Sequence, residues 1–145
     1  MTSLTLVDAE AAAQAWAEAD TTINTLTGSR IFYSVPIAYP KAALAKGDSW
    51  ILLTLVSETF QSGDLGLQQA LIQFDCNGPS KLLAAGVALA VESAARQLTF
   101  GHSVTVTPAV IVWAQVSQKR WLPDRTMNIP RYVVDVLFAF HGAEA

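Results

Sequence analysis

Cys76 is the only cysteine among 145 residues, and it follows Asp75 directly in the stretch LIQFDCNGPSK. A thiol there raises the question of nucleophilic catalysis, which requires a base to withdraw the proton and leave a reactive thiolate. His102 and His141 are the only imidazoles, and neither stands in a recognised pairing with the cysteine. The local pattern points elsewhere. Read as a strand, LQQALIQFDCN turns Ile72, Phe74 and Cys76 to one side and Leu71, Gln73 and Asp75 to the other, because side chains alternate with a period of two. Asp75 and Cys76 then face opposite surfaces, and Cys76 is expected to pack beside Phe74 as a small apolar group.

Other chemistry is equally sparse. One cysteine and two distant histidines do not make the ligand spacing of a tetrahedral zinc site. GDLG reads as a hairpin turn, since a phosphate-cradling loop would carry a lysine beside its glycines. Asp135, set among apolar residues in YVVDVLFAFH, is a candidate tuned acid, but strand alternation favours a solvent or interface contact for it. No catalytic, cofactor-binding or metal-ligating residue is therefore expected. The alternative from another class is a small enzyme or ligand-binding domain, with Asp135, His141 or Cys76 lining a pocket.

The segment that departs most from this background is KRWLPDRTMNIPR, where Lys119, Arg120, Arg125 and Arg131 accompany a single acid, Asp124. The first twenty residues carry four acids and no base. Three readings of the segment stay open: a solvated hairpin, a charged patch that orients docking between identical subunits or with other partners, and a basic tip near DNA without sequence readout. Trp121 with Leu122 either anchors in a neighbour's pocket, in keeping with the enrichment of tryptophan and arginine at hot spots, or folds back on its own sheet. Lys119, Arg120, Trp121, Leu122, Asp124, Arg125 and Arg131 together form the candidate interface.

The elements that position these residues follow from pattern. TLVD matches a capping box with Thr5 as N-cap and Asp8 at the third helical position. A helix follows, with Ala9, Ala13, Trp16 and Ala17 on one side and Glu10, Gln14 and Glu18 on the other. DTTINTLTG either ends this helix or continues it after a break, with Gly28 as the stop. RIFYSV is a short strand, and PIAYPKAALAKGD, with two prolines, reads as a surface loop. SWILLTLVSE is apolar on both alternating sets (Trp50, Leu52 and Val56; Ile51, Leu53 and Leu55), which predicts a central strand covered on both faces. After the strand ending at Asn77, GPSKLLAAGVALAVESAARQL predicts a mostly buried helix to about Leu98, with Glu92 and Arg96 spaced to pair. The stretch TFGHSVTVTP is poorly patterned. AVIVWAQVSQ is a strand with Val110, Val112, Ala114 and Val116 alternating against Ile111, Trp113 and Gln115. The last strand, YVVDVLFAFH, places Tyr132, Val134, Val136, Phe138 and Phe140 on one face, opposite Asp135 and His141. The expected architecture is α+β: a mainly antiparallel sheet of four to five strands with two main helices packed on one face, in a single domain spanning residues 1–145.

Composition adds a surface argument. Hydrophobic residues reach 52% and charged residues only 14%, against about 25% charged in ordinary soluble domains. The longest apolar run, LLAAGVALAV, has ten residues, where a bilayer span takes roughly 20. The N-terminus has no basic residue of a signal peptide, so the chain is expected to stay in the cytoplasm where it is made. The surplus apolar surface is expected to meet other protein subunits. A net charge of −3 and a pI near 5.2 argue against a dedicated nucleic-acid binder.

Together the N-terminal helix leading to LTGSRIF, the strand WILLTLVS, the junction LQQALIQFDCNGPSKLLAAGVALAVESA and the terminal YVVDVLFAFH resemble the tail-terminator, or tail-completion, proteins of long-tailed bacteriophages and phage-like particles. The resemblance implies a virion protein forming a ring, usually hexameric, on the head-proximal end of the tail tube, where it stops polymerisation. Its implied partners are further copies of itself, the tail tube protein and a head-completion or connector protein, with DNA passing through the lumen and no membrane. The implied location is the virion tail, after assembly in the host cytoplasm. Another neck protein, for head completion or bound to the connector, is the nearest alternative.

Overall fold

The computed structural model describes residues 8–34, 39–60, 67–98, 103–106 and 109–142. Helix α1 (Ala9–Ala19) starts at Asp8, whose extended backbone frees its carboxylate to accept from the N–H groups of Glu10 and Ala11. Asp8 is thus the cap and not an interior helical residue, while Thr5 lies outside the described residues. Asp20, again extended, ends α1 and opens α2 (Thr21–Thr27) by accepting from the Ile23 N–H. The helix of DTTINTLTG therefore resumes after a break, and Gly28 stops it at φ +58°, a left-handed conformation suited to glycine.

Strand β1 (Ile31–Phe32) precedes helix α3 (Tyr39–Lys46), which stands where a surface loop was expected. Pro40 falls in the first helical turn, where its missing N–H removes no bond, and the alanines and lysines after it favour helix. Strands β2 (Trp50–Phe60) and β3 (Gln68–Asn77) lead to α4 (Lys81–Arg96), followed by β4 (Val104–Val106), β5 (Ala109–Trp121) and β6 (Arg131–Gly142). The fold is α+β with a six-stranded sheet in the order β1-β2-β3-β6-β5-β4. One strand more than expected comes from β4, within the poorly patterned TFGHSVTVTP. All strand pairs are antiparallel except β1 with β2.

One face of the sheet carries the main core. Ile51, Leu53, Ile72, Phe74, Cys76, Val134, Val136, Phe138 and Phe140 pack there against α1 and α4. Trp16 of α1 reaches between Phe74 and Phe138, edge-on to both rings at 5.9 and 5.2 Å. On the other face α3 covers only one end, where Ala43, Trp50 and Ile129 form a second small core with Phe32, Tyr39 and Leu52. The remainder of β2 differs from the expected central strand. Among the described residues β1 pairs only with Ile51 and Leu52, so β2 is an edge from Leu53 onward and Val56 is exposed. Strict alternation also fails in β5, where register shifts after Ile111 and after Val116 place Ile111, Ala114 and Val116 together on the helix side.

Ser80 caps α4 by accepting from the Leu83 N–H. Gly78 is needed at the entry, because a Cβ there would stand 2.8 Å from the Ala84 nitrogen. One side of α4 is buried, but Leu82, Leu83 and Leu89 remain 82%, 48% and 55% exposed. The expectation of a mostly buried helix fails on that side: the outward stripe lies beyond the reach of the sheet.

Candidate functional site

The hairpin between β5 and β6 is built from the backbone up. Asp124 and Ile129 exchange both main-chain hydrogen bonds, at 2.9 and 3.0 Å. The Asp124 carboxylate accepts from the N–H groups of Thr126 and Met127, so the acid folds the turn and is not a free charge. Asn128, at φ +56°, supplies the left-handed step that closes it. Lower down, the Leu122 N–H donates to the Arg131 carbonyl, and Arg131 Nε donates back to the Leu122 carbonyl at 2.8 Å. The Gly78 N–H reaches the Pro130 carbonyl and ties the hairpin to the entry of α4.

Most of its cations are already paired. Lys119 points to the helix side and meets Glu92 at 3.0 Å, and Glu92 also holds Arg96 at 3.1 Å. These two contacts, that with Lys119 first, hold the Glu92 carboxyl below the ordinary glutamate range. On the opposite face Arg120 meets Asp135 at 3.3 Å and Gln118 at 2.9 Å, while Arg131 stands 3.7 Å from Asp75. Burial pushes the Asp75 carboxyl up, and the hydrogen bond from Gln73 and the Arg131 charge offset this only in part. Arg125 is the one hairpin cation that has no ion pair among the described residues, and it is exposed.

Trp121 packs against its own sheet and keeps part of its ring exposed. Its ring packs 5.0 Å from Tyr132, and Lys81 Nζ lies 4.8 Å over it. It stands at the hairpin base with 38% exposure, and Leu122 and Met127, at 42% and 37%, continue the exposed apolar surface toward the tip. A cleft of about 380 Å³ beside this base is lined by Leu44, Pro79, Trp121, Pro123, Ile129 and Pro130.

The enzyme candidates are not brought together. Cys76 is fully buried and pairs in register with Tyr132, nine residues before His141 on the same strand, which separates the two by about 30 Å. Burial and the neighbouring Asp75 push the thiol well up, away from the reactive thiolate. His141 Nδ1 lies 2.8 Å from the Gly142 carbonyl, and His102 is outside the described residues. Among the described residues no three His, Cys, Asp or Glu side chains converge in a metal-holding group.

A second feature went unread in the sequence. Leu82, Gly86, Leu89 and Ser93 recur at i, i+4, i+7 and i+11 on the outer side of α4, a helical stripe detectable from spacing alone. Between this stripe and α2 runs a groove of about 320 Å³ whose lining includes Asp20, Thr22, Gly86, Leu89, Ser93 and Gln97.

The sequence matches no protein-family profile and no curated protein. A solved structure shares the fold. It is a chain in the "Virion of native gene transfer agent (GTA) particle", with a TM-score of 0.57, covering 93% of this chain and 95% of that chain at 17% identity. The likeness is one of backbone architecture and takes in nearly all of both chains.

Proposed function

We propose that this chain is a structural protein of a phage-like virion, a non-enzymatic subunit that closes into a ring at the head-proximal end of the tail tube. The ring ends tube growth and presents the surface on which head and tail join. The observation that carries this reading is the shared architecture with a chain of a gene transfer agent virion along nearly the whole length of both. Because one fold serves many functions, the reading also draws on the surface. Leu82, Leu83 and Leu89 on one helix expose more apolar side chain than an unaccompanied subunit needs, which suits burial between copies.

The hairpin residues Lys119, Arg120, Trp121, Leu122, Asp124, Arg125 and Arg131 are read as an assembly contact. Three of the four cations are held by acids of the same chain, so the tip offers one unpaired charge, too few for the several phosphate contacts that give DNA affinity. That favours docking on protein over contact with DNA in the lumen. No helix among the described residues is long and apolar enough to cross a membrane. The subunit is taken to assemble in the host cytoplasm, as one domain, with the tube protein and a head-completion or connector protein as its partners.

Native mass measurement with electron microscopy of tail tubes tests the role. Closed multimers, six copies in the simplest case, should cap tube ends, and particles lacking the protein should carry overlong or uncapped tubes. Normal tubes that fail only to attach heads would reassign it to head completion, and a monomer that caps nothing would end the proposal.

A further inference from the structure

We infer that the hairpin tip of one copy seats in the groove between α2 and α4 of the next copy. The inference rests on the ring reading and specifies which surfaces close it. The two features are complementary in shape. The tip is a rigid knob, held by the Asp124–Ile129 bonds, the Asp124 turn and the Arg131 bond to Leu122, so little freedom is lost on docking. It presents Leu122 and Met127 as exposed apolar side chains. The groove is lined by small groups with Leu89 as an apolar wall, and at Gly86 the space above the backbone is open for at least 4 Å.

The charges are complementary too. Arg125 is the hairpin cation with no ion pair among the described residues. Asp20 lines the groove; one of its oxygens accepts from the Ile23 N–H, and it has no ion pair among the described residues. Arg96, the cation of the last turn of α4, is already held by Glu92. A knob carrying a cation without an ion pair and a groove lined by an acid without one fit one another in a single sense.

A copy does not fill its own groove. The hairpin base lies against Lys81, at the start of α4, whereas the groove occupies Gly86 to Gln97, and Leu89 alone is about 12 Å further along the axis. Knob and groove are different patches, so the contact is heterologous and generates a ring when the rotation closes.

The test uses cysteine pairs in the full chain, where native Cys76 is fully buried and does not compete. A double variant, Leu89→Cys with Met127→Cys, should give a ladder of disulfide-linked multimers on mild oxidation. Each single variant should stay uncrosslinked, and an equal mixture of the two single variants should give linked dimers. Thr22→Arg, at an exposed groove position, should weaken association by about tenfold or more, and Arg125→Glu added to it should restore most of the loss. Multimers in native mass measurement without the 89 to 127 link, or a single variant that links to itself, would overturn the docking mode while leaving the ring intact. Monomers throughout would remove both.

Discussion

Arg120 and Asp135 form a diagonal cross-strand ion pair of 3.3 Å on the open face of the sheet, at the base of the hairpin. In register Arg120 faces Val133 and Asp135 faces Gln118, so the guanidinium leans two pairs along, to the next position on the same face, to reach the acid. The second carboxylate oxygen of Asp135 is buried without a hydrogen-bond partner among the described residues. Removing the arginine leaves that acid poorly compensated. Arg120→Ala is therefore expected to cost about 1 kcal/mol, a value kept low because the arginine is partly solvated. Adding Asp135→Asn should return part of the loss, which a double-mutant cycle in urea measures. Strict additivity would mean that the pair contributes nothing.

Asp75 makes a pH-dependent contribution of unusual sign. Burial raises its carboxyl in the folded state above the ordinary aspartate range. Between the ordinary value and the raised one the folded protein binds more protons than the unfolded chain, so stability falls as pH rises through that window. Asp75→Asn should remove this slope and leave the variant at least as stable as the parent at neutral pH. Urea midpoints across the acidic range read it directly. A variant equally stable at low pH but weaker at neutral pH would show that Arg131 matters more than desolvation.

Glu92 behaves in the opposite way. Lys119 and Arg96 lower its carboxyl, so its contribution is present above the ordinary glutamate value and is lost as pH falls through the lowered one. Lys119 and Arg96 keep 35% and 65% of their side chains exposed, which limits Glu92→Gln to about 0.5 kcal/mol at neutral pH. The difference from the parent should disappear in acid and shrink in high salt. A loss independent of both would point to packing instead.

Cys76 should be inert in the native protein. With no exposed surface and a thiol pushed up by burial, its alkylation requires unfolding, and the labelling rate should track urea concentration through the transition. Rapid labelling at neutral pH without denaturant would reopen the enzymatic reading.

Local pattern alone determined a good part of this protein. Alternation at period two placed Phe74 and Cys76 in the core and Asp75 on the other face, because a strand leaves no choice of side once its register is set. Helical spacing likewise put Ala13, Trp16 and Ala17 on the buried side of α1. Tertiary structure decided the rest. The two apolar faces of β2 suggested a central strand, yet β1 is too short to flank it, and strand order is a long-range pairing that no local window contains. PKAALAK became a helix because it packs Ala43 over Trp50, a contact that outweighs the punctuation of its prolines. The basic segment showed four cations in sequence, but only folding brought Glu92, Asp135 and Asp75 to three of them. Charge in sequence is a sum, whereas the charge available to a partner is what remains after the fold has made its own pairs.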